Sequence, residues 1–341
     1  MRVIRNLVPL TTVAALLLIG AAPPGAAGRL PEHPTVAGHR LVVTGFAVES
    51  LSARVVARDA HAMDTVSVAG IGVKPDGSTV TLPDHDVRRV LRVAHRHGLR
   101  GELIVSNWTA RTGDFDSELI TSLLSAPAHR RAAVRRIDRI ARQDGWDGIN
   151  IDFEAMHARD RAGLVAFVRA LRHRLPERVE LSMDMGARTS QRSYRQSGFS
   201  LSELSGAVDR IVLMTYDQHG AGWSGPGPIG SLPWQRRSMK VLAERVPLSM
   251  VDLGIAGYGY TWPTSGTGHS VSPRHARAVA EADGVDPVWH RKDGEWSVTL
   301  TDGTEVWWSD ARSYVKRLTL ARQLGVHGVA LWRLGSADPL P

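Results

Sequence analysis

Four polar side chains fall within eight residues in the run Asp147-Gly-Ile-Asn150-Ile-Asp152-Phe-Glu154. If this segment is a strand, its side chains alternate between faces. Asn150, Asp152 and Glu154 then project to one side, and Ile149, Ile151 and Phe153 to the other. Three successive polar groups on one face are costly to bury unless they bond to one another or to a ligand. Two carboxyls on that face, Asp152 and Glu154, the second at the end of the strand, mark a candidate active site. A helix cap would account for Glu154 but leaves Asp152 unexplained.

A strand bearing these groups needs neighbours, and the chain supplies them at regular intervals. Short β-rich apolar runs occur at 41–48, 65–73, 101–107, 148–153, 179–185, 210–216, 251–260 and 328–334. Amphipathic helical stretches lie among them at 84–98, 129–145, 158–176, 232–247 and 309–325. In the second of these, Val134, Ile137 and Ile140 recur at helical spacing before Gly145. Eight strands alternating with helices predict an α/β fold, a parallel (β/α)8 TIM barrel spanning 39–341. Glu154 then ends the fourth strand on the face where barrel enzymes carry their active sites. Between the seventh strand and the last helix, residues 261–308 combine a helix-like SPRHARAVAEA with runs broken by Asp-Gly pairs. They predict a small α+β insertion.

Arg2 and Arg5 precede the apolar run Leu7–Ala22 and the small residues PPGAAG. This pattern predicts an export signal over 1–27, followed by a mature N-terminal tail over 28–38. An uncleaved membrane anchor is the alternative, although the run is short for a span and contains Pro9 and Gly20. The expected product is a secreted or cell-wall-associated monomer with no stable membrane insertion. It has no cysteine, so its core must hold without disulfides. The formal charge of +8 suits an anionic wall, but only four of the 42 basic residues are lysine, as a GC-rich genome would also dictate. No basic run interleaved with aromatics suggests nucleic acid. Fourteen histidines form no HExxH pair, so neither a metal nor another cofactor is expected.

DGINIDFE resembles the fourth-strand DxxDxDxE motif of glycoside hydrolase family 18, the chitinases and their relatives, with Asn150 in place of the middle acid. LMTYD (213–217) is similar to the family's sixth-strand MxYD motif, and VALWRLG to the strand carrying the tryptophan floor of its −1 sugar site. The segments TYDQHGAGWSGPGPIGSLPW (215–234) and VSNWTARTGDFDSELITSLL (105–124), with the Asn variant, resemble the spore-cortex-lytic and cell-wall N-acetylglucosaminidase branch. The resemblance implies retaining, substrate-assisted hydrolysis of an N-acetylglucosamine polysaccharide, peptidoglycan or a related wall glycan. Glu154 would be the acid, Asp152 would orient the acetamido N–H, and Tyr216 would donate to the acetamido oxygen. Asp147 and Asn150 would support the strand, with the Asn150 amide donating to Asp152. Met214, Asp217, Trp332 and Asn107 would contact sugar, Asp217 and Asn107 through its hydroxyls. A chitinase or chito-oligosaccharidase is the alternative enzyme. A lectin on the same barrel is the alternative class, though such relatives generally lose the acid. Trp108, Trp223, Trp234, Trp262 and Tyr258 fall at or near strand ends and could stack on sugar or fill core. Trp289, Trp296, Trp307 and Trp308 read first as the insertion's own core.

Overall fold

The computed structural model describes residues 40–341. The expected export signal and tail therefore lie outside the described residues. Eight strands, β1 (Val42–Val48), β2 (Thr65–Gly72), β3 (Arg100–Ser106), β4 (Gly148–Asp152), β5 (Glu180–Gly186), β6 (Arg210–Met214), β7 (Val251–Ala256) and β8 (Gly328–Trp332), pair in chain order. The closing pair, β8 with β1, is parallel like the rest, with Val42 opposite Gly328. The fold is the expected parallel barrel.

Alternation along each strand sorts the residues. Ile149 and Ile151 of β4, Leu181 and Met183 of β5, and Leu253 and Ile255 of β7 point outward and are buried under the helices. The helix Pro127–Asp144 turns Val134, Ile137 and Ile140 onto that layer and ends at Gly145, whose φ of 78° closes the last turn in the left-handed region. The opposite set of side chains fills the lumen. Phe46, Ile104, Val212 and Ala330 form a small apolar layer there. Thr44, Ser67, Glu102, Asn150, Ser182, Asp184, Arg210 and Asp252 are also buried, so much of the interior is polar.

The seventh strand differs from the sequence reading. It stops at Ala256, where Gly257 donates its N–H to Trp332 O at 2.7 Å. Gly259–Trp262 then belongs to a separate antiparallel sheet, in the order Ser270–Val271, Gly259–Trp262, Glu305–Trp308, Glu295–Thr299, Val288–His290. The helix Pro273–Asp283 covers this sheet, packing Ala276 and Ala280 against Val271, Val298, Val306 and Trp308. A β-rich run does not say which sheet it joins. Here the change from parallel to antiparallel pairing occurs within one apparent strand.

Candidate active site

The fourth strand carries its polar groups into the lumen as alternation requires. Ile104 lies opposite Asn150, and Ser106 opposite Asp152. Burial pushes the Asp152 carboxyl up to about 7, with a hydrogen bond from Ser106 working the other way. Asp152 Oδ1 is buried without a partner. Glu154 follows the strand. Burial raises its carboxyl to about 8; the charges of Asp152, Asp217 and Asp114 add to the rise, and Arg188 opposes it. An acid of this kind is still protonated at neutral pH and can deliver its proton. The next residue, Ala155, holds a φ of 53°, a conformation uncommon for a side-chain-bearing residue.

Asn107 fixes the Glu154 backbone. Its Oδ1 accepts from Glu154 N at 2.9 Å, and its Nδ2 donates to Glu154 O at 3.0 Å and to Asp116 O at 3.1 Å. The residue is fully buried. The expectation that Asn107 binds sugar hydroxyls is therefore corrected: its donors and acceptor are engaged by main chain, and it positions Glu154 instead.

Asn150 also differs from the sequence expectation. Its Nδ2 donates to Ser182 Oγ at 2.9 Å and to Asp184 Oδ1 at 2.8 Å, not to Asp152. The reason is distance. Same-face neighbours along a strand are roughly 6.6 Å apart, whereas adjacent strands are about 4.8 Å apart, so a short amide reaches sideways. Asp184 on β5 is buried, and burial and then the Asp152 charge hold its carboxyl well above the usual range. Ser182 Oγ in turn donates to Glu102 Oε1 at 2.6 Å, and Glu102 accepts from Arg210 Nη2 at 2.7 Å. A continuous polar column thus descends from Asn150 to the far end of the barrel.

Asp147 lies at that far end, away from the other candidates. Its Oδ2 accepts from Gly101 N and bonds to His95 Nε2, each at 2.8 Å, tying β4 to its neighbour. On β6, Met214 is buried beside Gly186 of β5. Tyr216 follows, and its hydroxyl has no protein partner among the described residues. Burial and the charges of Asp184, Glu154, Asp217 and Asp152 push its acidity far out of range, so it remains a donor. Asp217 holds a φ of 59°, and its Oδ1 accepts from Tyr258 Oη at 2.6 Å and Tyr260 Oη at 3.0 Å.

Two aromatic surfaces flank these groups. Trp332 ends β8 against Phe46, with ring centres 5.5 Å apart, and lines a cleft of about 490 Å³ together with Ser106, Trp108, Phe115 and Asp152. On the other side Tyr216, Tyr258, Tyr260, Trp262 and Trp223 contact one another edge to face at 5.6–6.3 Å. Trp108 and Trp223 are the exposed members, at 48% and 59%. Trp234 is in neither surface; it lies in the helix Leu232–Ala243. The insertion divides its tryptophans by strand parity. Trp308 is core with Trp296 stacked on it, as expected, whereas Trp307 faces the other way and joins Tyr216 and Tyr258. The insertion is held down by Glu295, which accepts from Ile229 N at 2.6 Å, Gly230 N at 3.0 Å and Arg317 Nη2 at 2.7 Å.

Asp184, Ser106, Ser182, Glu102, Arg188 and Glu295 are the residues that sequence reasoning missed. Asp184 had a visible signal. In the strand Glu180-Leu-Ser-Met-Asp-Met it shares parity with Ser182 and stands between two methionines, where a parallel strand is normally apolar on both faces.

Comparison with known proteins agrees with this geometry. Residues 48–337 match the family model described as Glycosyl hydrolases family 18. An uncharacterized glycosylase, YvbX, of Bacillus subtilis (strain 168) is 23% identical over 72% of this chain and 74% of its own length. The cortical fragment-lytic enzyme of the same organism is 28% identical over 66% of this chain, but the match spans only 55% of that protein. Among solved structures, the Bacillus cereus spore cortex-lytic enzyme SleL superposes with a TM-score of 0.78 at 21% identity, covering 87% of this chain and 71% of that one. A class V chitinase from Pseudomonas fluorescens Pf-5 superposes at 0.80 with 24% identity, covering 88% and 96%.

Proposed function

Since the chain belongs to glycosyl hydrolase family 18 and is a glycoside hydrolase, we propose that it hydrolyses N-acetylglucosamine-containing glycan, with the sugar's own 2-acetamido group as nucleophile. The observation that carries this reading is the buried, unpartnered Asp152 Oδ1, in a site where burial raises the Glu154 carboxyl to about 8 and the Tyr216 hydroxyl has no protein partner among the described residues. An orphaned buried acceptor is costly, and an acetamido N–H would satisfy it. Tyr216 would donate to the carbonyl oxygen of the same group. Glu154 then protonates the glycosidic oxygen as the C1–O bond breaks and the carbonyl oxygen bonds to C1, forming an oxazolinium ion. The Asp152 charge offsets the positive charge that develops. Glu154, now a carboxylate, takes a proton from the water that attacks C1, and the ring opens with configuration retained.

Peptidoglycan is the proposed polymer. The cortex-lytic names among the relatives support it, and so does the basic composition for an anionic wall. Export with removal of residues 1–27 and action as a monomer belong to the same proposal. Chitin is the second reading, because the Pseudomonas chitinase is matched over 96% of its length. Incubation with peptide-free glycan strands, sacculi and chitin, followed by mass spectrometry of the new reducing ends, decides between them. N-Acetylglucosamine ends of retained configuration are expected from the strands. N-Acetylmuramic acid ends would overturn the bond assignment, and a covalent glycosyl ester trapped on any carboxylate would overturn substrate assistance.

A further inference from the structure

Gly186 ends β5 on the lumen face, two residues beyond Asp184. The space a side chain there would fill is taken by Arg188, whose Nη1 lies 3.0 Å from where a Gly186 Cβ would sit. The Arg188 guanidinium therefore folds back over the barrel mouth, close enough that a Cβ at 186 would press on its Nη1. It is held from behind. Nη1 donates to Ala187 O at 3.1 Å, Nε donates to Ser197 Oγ at 3.3 Å, and the Arg188 N–H donates to the hydroxyl of the buried Tyr194 at 3.3 Å. Nη2 has no protein partner, and no carboxylate stands within ion-pair distance of Arg188, among the described residues.

The position of this cation relative to the cleft is informative. The cleft walled by Trp332, Trp108 and Asp152 runs over β8 and β1 to β4, whereas Arg188 stands beyond β4, above β5. The sugar proposed to react rests on Asp152 of β4, Tyr216 of β6 and Trp332 of β8, and Arg188, above the intervening β5, stands at the edge of that site outside the cleft. The Arg188 charge reaches Glu154, where it opposes Asp152, Asp217 and Asp114. A planar guanidinium with an open edge, in a site otherwise lined by acids, is suited to bind a carboxylate through paired N–H donors.

We propose that Arg188 is a specificity-determining residue that binds the 3-O-lactyl carboxylate of an N-acetylmuramic acid adjoining the reacting sugar. The proposal rests on the glycan-hydrolase reading above and narrows its substrate. The lactyl group is a free carboxylate only where no stem peptide is attached. The preferred strand is therefore one from which an amide-hydrolysing reaction has already removed the peptides.

The test compares kcat/KM on peptide-free glycan strands with kcat/KM on chito-oligosaccharide, which has no carboxylate, for the wild type, Arg188→Met and Arg188→Lys. The ratio should fall about tenfold or more in Arg188→Met, the range of a charge-assisted hydrogen bond, and recover in part in Arg188→Lys. Methyl esterification of the strands should lower the wild-type ratio by a similar factor and add nothing in Arg188→Met, since the two changes remove one contact. The chito-oligosaccharide rate also reports whether each variant is folded. An unchanged ratio, or losses that multiply between esterification and mutation, would overturn the proposal. So would an equal loss in Arg188→Met on strands that still carry peptides. A wild type that cleaves neither polymer would instead overturn the hydrolase reading.

Discussion

The two ends of the barrel lumen contain the same kinds of residues in opposite balance. At the N-terminal end, Arg210 is 4% exposed and donates to Glu102 at 2.7 Å and to Glu180 and Asp252 at 2.6 Å each. Arg100 adds a second bond to Glu180 at 2.8 Å, and His327 lies 2.7 Å from Asp252. Burial alone would raise the Glu180 carboxyl, but Arg210 and Arg100 outweigh it and hold the group below its ordinary value. At the C-terminal end, Asp152, Asp184 and Glu154 have no ion-pair partner among the described residues, and although Arg188 opposes the rise at Glu154 and Arg210 that at Asp184, all three are raised. Compensated acids hold strands together, while uncompensated acids hold protons. The polar column through Glu102, Ser182 and Asn150 joins the two regions.

The contrast also sets opposite pH dependences. A carboxyl lowered in the fold, such as Glu180, stabilises above its unfolded pKa, and that contribution is lost as pH falls through the folded one. A raised carboxyl contributes stability below its unfolded pKa and loses it as pH rises through the folded value. The active end therefore weakens the fold as the solution becomes alkaline, and the closed end weakens it as the solution becomes acid.

The sharpest test of the contrast is Glu154→Gln. It should lower turnover on glycan strands by about 10²–10⁴-fold, the worth of a general acid, without loss of structure by circular dichroism. In the wild type, kcat/KM should hold to about pH 8 and then fall as Glu154 ionises. Near-wild-type turnover on a substrate with a poor leaving group would assign the acid elsewhere.

Next in size is Arg210→Met at the closed end. Removing one partner from a buried ionic cluster typically costs about 3–5 kcal/mol. Denaturant unfolding should show a loss of that order at neutral pH and a smaller one in acid, where the stranded carboxyls take up protons. Equal losses at both pH values would mean that the cluster is not what stabilises this end.

Smaller shifts are expected from the residues between the ends. Asp184→Asn removes a carboxyl that competes with Asp152 for ionisation, so the acid limb of kcat/KM should move to lower pH, by less than about one unit. Asn150→Asp adds a charge beside the same pair and should move that limb the other way. Superimposable profiles for both variants would show that the column does not communicate with Asp152. The smallest effect returns to Glu154. Its amide variant should be more stable than wild type by about 1 kcal/mol at pH 8, through removal of a charge that burial disfavours. At pH 5 the gain should shrink, which melting curves at the two pH values would reveal.

The barrel and the lumen-facing polar groups of β4 were legible in the sequence because both rest on local patterns. Eight β-rich runs declare eight strands, and alternation alone turns Asn150 and Asp152 into the lumen. What was not legible depends on partners distant in the chain. Asn150 finds Ser182 and Asp184, 32 and 34 residues away. Asn107 finds the Glu154 backbone 47 residues away. Arg188 comes from a loop, and its inward fold lies against Gly186, two residues back, with support from Ser197. The end of β7 was misread for a related reason. Tyr258 and Tyr260 continue the β-rich run, but Gly259 pairs with Trp308, nearly fifty residues on.

That pairing makes the insertion a detachable module. The chain leaves the barrel at Gly259 and returns at Trp308 directly opposite, in the adjacent antiparallel strand. The distance to be bridged is one strand spacing whatever lies between, and lengthening or shortening the excursion changes closure entropy only slowly. The segment between Trp262 and Glu305 is thus free to vary in length, in evolution or by design, without re-registering β7 against β8. One obligation remains. Arg317 is buried and bonds to the carbonyls of Gly294 and Gly230, with Glu295 as its counter-charge. Any shorter replacement must still present a carboxylate to Arg317 and to the Ile229 and Gly230 amides, or the loop that follows Tyr216 loses its anchor.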